Sequence, residues 1–147
     1  MRSKHVGFSL LEIMIVVALI GILAAISIPL LQGYAARAQI NRVVSELGVY
    51  RTAFESNLSS LTEVTNESLG YTPSELTTGS SAVEIAVINP DGTGHLQVTM
   101  GGNAQQNLSG LVIRFQRSSS GRWSCIIDKS AVPSWKESYK PAGCAVP

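Results

Sequence analysis

The chain has 147 residues, a formal net charge of +1, two cysteines and a composition that is 45% hydrophobic and 14% charged. Such a length fits one domain, and the near-neutral balance argues against nucleic-acid binding driven by charge. The apolar residues are unevenly placed: positions 13–31 carry no charged side chain.

The chain opens on a short basic stretch, residues 1–7, with Arg2, Lys4 and His5. The uncharged run behind it is long enough to span a bilayer. Basic residues stay on the cytoplasmic side, which predicts a single-pass orientation with the C-terminal part exported. Glu12 stands at the head of this apolar helix. A carboxylate at the centre of a membrane helix costs about 3 kcal/mol to insert, so an ionisable residue there is a functional candidate. A plain membrane anchor leaves Glu12 unexplained. A secretory signal peptide cut at residues 25–27 would divide a helix whose pattern continues without a break.

Beyond Pro29 the pattern becomes amphipathic. Ile40, Val43, Val44, Leu47, Tyr50, Phe54, Leu58 and Leu61 recur at three- and four-residue steps, which predicts one helical face. The spacing allows the pairs Arg42–Glu46 and Arg51–Glu55. Together, residues 8–58 read as one helix of about 51 residues and roughly 76 Å. Gly21 and Pro29 are its weakest backbone points. Of a bilayer core of about 30 Å, only the first half of such a helix has need. The second half must pack against something.

Residues 59–82 are polar and predict a loop with at most a short helical turn. Strands follow at 83–88, around Leu96, Val98 and Met100, at 111–116, and at 123–127, with turns at 89–92 and 118–121. The tail, 128–147, holds three prolines and shows no strand pattern. Cys125 and Cys144, an even count in an exported segment, read as a disulfide. The expected fold class is α+β: a long N-terminal helix packed on a four-stranded antiparallel sheet, with a C-terminal disulfide-bounded loop.

Sites for chemistry are poorly represented. There is no phosphate-binding glycine loop, no nucleophile elbow and no metal-ligand spacing, so neither a catalytic centre nor a cofactor is expected. His95 reads as a surface residue. Asn89, Asp91 and Asn103 read as turn residues rather than calcium ligands. Asn57, Asn66 and Asn107 head three N-x-S sequons, which chance explains. Within the tail, Lys129, Trp135, Lys136, Tyr139 and Lys140 have two readings. They form an exposed contact surface, or they pack the loop onto the sheet.

The run Gly7-Phe8-Ser9-Leu10-Leu11-Glu12, followed by an uncharged helix ending near Pro29, resembles the prepilin signature of type IV pilins with a short leader. The rest matches that family in layout. The resemblance implies three parts: a leader at 1–7, a transmembrane and filament-core half-helix at 8–31, and a globular head at 32–147. It implies cleavage between Gly7 and Phe8 by a prepilin peptidase, with N-methylation of Phe8. Glu12 is implied to neutralise the N-terminal amine of a neighbouring subunit and so set the register of assembly. The stretch from Gly21 to Pro29 is implied to lose helicity in the filament. The loop between Cys125 and Cys144 is implied to vary and to contact receptors. The implied function is that of a filament subunit for adhesion, twitching motility and DNA uptake. Its implied partners are further copies of itself, the inner membrane before assembly, the assembly machinery there, and a host or surface receptor. The rival readings are a minor pilin, a pseudopilin of a type II secretion system, and a monomeric membrane-anchored adhesin.

Overall fold

The computed structural model describes residues 7–147, so Arg2, Lys4 and His5 lie outside the described residues. The chain divides into two compact units, one ending at Tyr34 and the other comprising Ala35–Pro147. Helix α1 (Leu10–Ser59) belongs to both. Its extent agrees with the expected 8–58. In the first unit the helix is continuous through Gly21 and Pro29. Pro29 has no N–H to give to the preceding turn, and Ser27 Oγ donates to the Leu23 carbonyl at 2.9 Å, a back-bond of the kind that slightly weakens a helix.

In the second unit, α1 buries Ala36, Ile40, Val43, Leu47 and Phe54, largely the face expected from the periodicity. The helix ends in a Schellman arrangement: the Thr62 N–H donates to the Asn57 carbonyl and the Leu61 N–H to the Leu58 carbonyl. The one short helical turn in the following loop is α2 (Asn66–Leu69), capped by Thr65 through a reciprocal bond with Ser68.

The sheet has five strands in the order β1 (Ala86–Ile88), β2 (Gly94–Thr99), β3 (Val112–Arg117), β4 (Trp123–Asp128) and β5 (Cys144–Ala145). The first four pair antiparallel. Alternation places Leu96, Val98, Ile113, Phe115, Cys125 and Ile127 in the core with the buried α1 residues. Gly94 is held to glycine by space: a Cβ there would lie 2.4 Å from the Val87 carbonyl oxygen and 3.2 Å from Phe54.

Three expectations are corrected. The first strand is three residues long rather than six. The backbone before it is claimed by Asn66, whose amide donates to the Ser81 and Val83 carbonyls and whose carbonyl accepts the Ile85 N–H. Secondly, the sheet has five strands rather than four, because Cys144 and Ala145 pair parallel to Cys125 and Ile126. Thirdly, Glu55 leaves the expected Arg51 and binds Arg117 on β3 instead, at 2.7 and 3.0 Å.

Candidate functional site

The N-terminal region is built on a helix start. Ser9 and Glu12 form an S-x-x-E capping box. Ser9 Oγ accepts the Leu11 N–H at 3.2 Å, and Glu12 Oε2 accepts the Ser9 N–H at 2.8 Å. Glu12 also places its charge in the first turn, where the helix dipole favours it. Gly7 is exposed with open space where a Cβ would stand, and Phe8 is 83% exposed. From Leu10 to Leu31 every large apolar side chain is exposed. The helix is long and apolar enough there to cross a membrane, by length and composition.

The C-terminal region is a loop closed by the Cys125–Cys144 disulfide. The two cysteines stand directly opposite each other in the β4–β5 pairing, with Cα atoms 4.5 Å apart. The loop's aromatic residues turn inward. Tyr139 is 2% exposed and meets the half-buried Trp135 edge to face at 5.8 Å, and Val132 is buried beside them in the core. Of the two readings of these residues, Tyr139 follows the packing one. What the loop presents outward is lysine: Lys136 and Lys140 are exposed, Lys129 is half-buried, and Lys140 lies 4.0 Å from Glu137.

Comparison with known proteins supplies the family. Residues 36–145 match the model of the pilin family of bacterial filaments, and residues 2–28 match the prokaryotic N-terminal methylation motif. The chain belongs to the pilin family. Among its relatives, a fimbrial protein of Pseudomonas aeruginosa is 43% identical over 94% of this chain and 95% of the relative. The type IV major alpha-pilin of Moraxella bovis is 37% identical over 94% and 95%. A type IV major fimbrial protein FimA of Dichelobacter nodosus is 39% identical over 98% and 99%.

Two groupings in this pilin are absent from the sequence expectations. One is the capping box at Ser9 and Glu12, whose S-x-x-E spacing is a visible signal. The other is a clamp between α1 and the sheet. Glu55 accepts both Arg117 nitrogens and the Trp123 indole N–H, the last at 2.8 Å. The Arg117 hydrogen bond holds the Glu55 carboxyl below its ordinary value, against a smaller opposing effect of burial. Arg51 turns instead over the Phe115 ring, 4.5 Å from its centroid.

The remaining candidates have local explanations. Asp91 accepts the Thr93 N–H and hydroxyl within a turn. His95 is half-buried, and that burial lowers its basicity. The side-chain amides of Asn57, Asn66 and Asn107 all donate hydrogen bonds, to Ser68, to the Ser81 and Val83 carbonyls, and to Tyr139. Among the described residues no group of three His, Cys, Asp or Glu could hold a metal.

Proposed function

We propose that this pilin is a structural, non-catalytic subunit of a type IV pilus. A prepilin peptidase removes residues 1–7 by cutting between Gly7 and Phe8, and Phe8 is then N-methylated. Before assembly, residues 8–31 hold the chain in the inner membrane with residues 32–147 on the periplasmic side. After assembly, they form the core of an extracellular filament that serves adhesion and motility.

The observation that carries this reading is the exposed apolar half of α1 with one carboxylate at its head. Cleavage would create a cation beside apolar surface. Glu12 is the only anion in residues 8–31, and a paired partner offsets a desolvation cost that neither charge bears well alone. Lipid is as apolar as the helix, so association in the membrane depends on close packing and on such polar contacts. The relatives' names, major pilin and major fimbrial protein, weigh against the pseudopilin and minor-pilin readings. Receptor contact through Lys129, Lys136 and Lys140 is part of the same proposal.

N-terminal sequencing of surface-sheared material tests the processing step. A start at methylated Phe8 in a fibrous fraction is expected. An intact leader, or a start at Ile28, would overturn it. Gly7→Val should leave the precursor uncut, because a β-branched side chain replaces hydrogen at the scissile position.

A further inference from the structure

Residues 82–88, Ala-Val-Glu-Ile-Ala-Val-Ile, have the make-up of one long strand: apolar, rich in β-branched side chains, with a single charge and no proline. Only Ala86–Ile88 pair with β2. The Gln97 N–H still donates to the Ile85 carbonyl, but the Ile85 N–H turns away to Asn66 Oδ1. Further along, the Thr78 N–H donates to the Thr99 carbonyl. Between these two contacts the chain bows off β2 around a cavity of about 200 Å³, lined by Thr78, Glu84, Gln97 and Thr99 among others. Alternate residues of β2 direct their backbone groups toward β1. The Gln97 carbonyl and the Thr99 N–H therefore face the gap, and neither has a hydrogen bond among the described residues.

Two residues hold the chain off β2. Asn66 is buried and binds three backbone groups within residues 81–85, while its own N–H is accepted by Glu84 at 2.6 Å. The register supplies the second restraint. Ala86 stands opposite Leu96, and both lie on the core face. Extending β1 in that register would set Glu84 opposite Val98 on the same face, where an unpaired carboxylate is costly. It would also carry Ile85, now buried, to the outer face.

A longer strand would be a hazard. β1 is outermost in the sheet, and the backbone groups of Ala86 and Ile88 point away from β2. Lengthened to Ala82, the edge would present four such residues instead of two. Antiparallel about Ile85, the segment sets Val83 against Val87 and Ala82 against Ile88 of a second copy, and it places no two Glu84 side chains opposite each other. Long apolar edges template association of this kind. Such a pair is isologous and closes on itself, so it would withdraw subunits from an open assembly. We propose that Asn66 and Glu84 keep β1 to three residues and thereby stop two copies from pairing through their β1 edges. The benefit to a polymerising subunit rests on the filament reading above, whereas the restraint itself belongs to the unassembled chain.

The full chain in detergent tests the proposal, through amide hydrogen exchange and particle mass by sedimentation. In the unaltered chain the Thr99 amide should exchange at least about tenfold faster than that of Gln97, which donates to the Ile85 carbonyl. Asn66→Ala with Glu84→Val should slow Thr99 about tenfold as β1 lengthens, and roughly double the particle mass. Adding Val87→Lys, a charge at an exposed position of the edge strand, should restore the unaltered mass while Thr99 stays slow. An intact Cys125–Cys144 bond shows that a variant folds; if the double variant lacks it, Glu84→Val alone is read by the same measures. Unchanged Thr99 exchange would mean that these residues do not stop the strand. Slowed exchange without added mass, or added mass that Val87→Lys does not reverse, would remove the edge pairing. Each of these outcomes overturns the proposal and leaves the pilus reading intact, which falls instead if the unaltered chain forms no filaments.

Discussion

Between Leu10 and Leu31, α1 leaves every large apolar side chain exposed, Leu10 at 79% and Leu23 at 65%; between Ala36 and Phe54 it buries Ile40 and Phe54 completely. Backbone geometry is the same in both stretches. What differs is whether the chain itself supplies a cover. The sheet covers the second half, and each fully buried large side chain contributes about 1.5 to 3 kcal/mol to the fold. The first half contributes nothing of that kind within one subunit. Its apolar surface is matched to lipid or to other copies, which is why Glu12, a residue with little to do in folding beyond a helix cap, becomes the informative one.

The largest expected effect lies in the first half. Glu12→Ala should leave the protein in the membrane fraction and abolish surface filaments. Glu12→Gln separates the two roles of this residue, because glutamine keeps the capping box but loses the charge. It too should lose filaments, as electron microscopy of sheared material would show. Normal fibres from Glu12→Gln would leave capping as the only role of this residue.

Next comes a matched pair of truncations read by thermal unfolding of the full chain in detergent, followed through the fluorescence of Trp123 and Trp135. Phe54→Ala should destabilise the second unit by about 3 to 5 kcal/mol. Leu23→Ala should leave that transition unmoved and lower filament yield. Equal effects on unfolding would erase the distinction between the halves.

Cys144→Ser should lower stability by about 3 kcal/mol on the chain-entropy account and expose the chain beyond Cys125 to protease. The rest of the sheet and α1 should persist. Two free thiols in the exported protein, by mass spectrometry without reductant, would remove the basis for this expectation.

The Glu55 clamp gives the smallest effect. Glu55→Gln should cost about 1 kcal/mol, since the pair is partly exposed. The carboxyl is depressed below its ordinary 4.5, so its contribution is fully present above pH 4.5 and is lost as pH falls through the lower folded value. The difference in melting temperature between Glu55→Gln and the unaltered chain should therefore be present at neutral pH and shrink as acid protonates the Glu55 carboxyl. A constant difference would mean that Glu55 acts by packing alone.

The long helix, the three longer strands and the cysteine pair are legible in sequence because each rests on local pattern: a 3.6-residue period, a two-residue alternation, an even cysteine count. The misses are all tertiary. Cys144 and Ala145 are too few to show a period, and only the register against Cys125 and Ile126 makes them a strand. Residues 83–85 have strand-like composition, yet Asn66 reaches across from α2 and takes their hydrogen bonds. Glu55 has an arginine four residues away and prefers one 62 positions on. Tyr139 and Lys140 are neighbours in sequence with opposite fates, one buried and one exposed. No local rule separates them. The Ser9–Glu12 box, by contrast, was legible from its spacing and is overlooked only when Glu12 is weighed as a membrane charge.

The β4–β5 pairing also has a genetic meaning. Cys144 provides both the last strand and the second sulfur. A nonsense codon between positions 126 and 144 therefore deletes the closing strand and leaves Cys125 without its intramolecular mate, free to cross-link to a neighbouring nascent chain. Late frameshifts should be read as null alleles, whereas missense changes among the exposed lysines of the same loop should be tolerated by the fold.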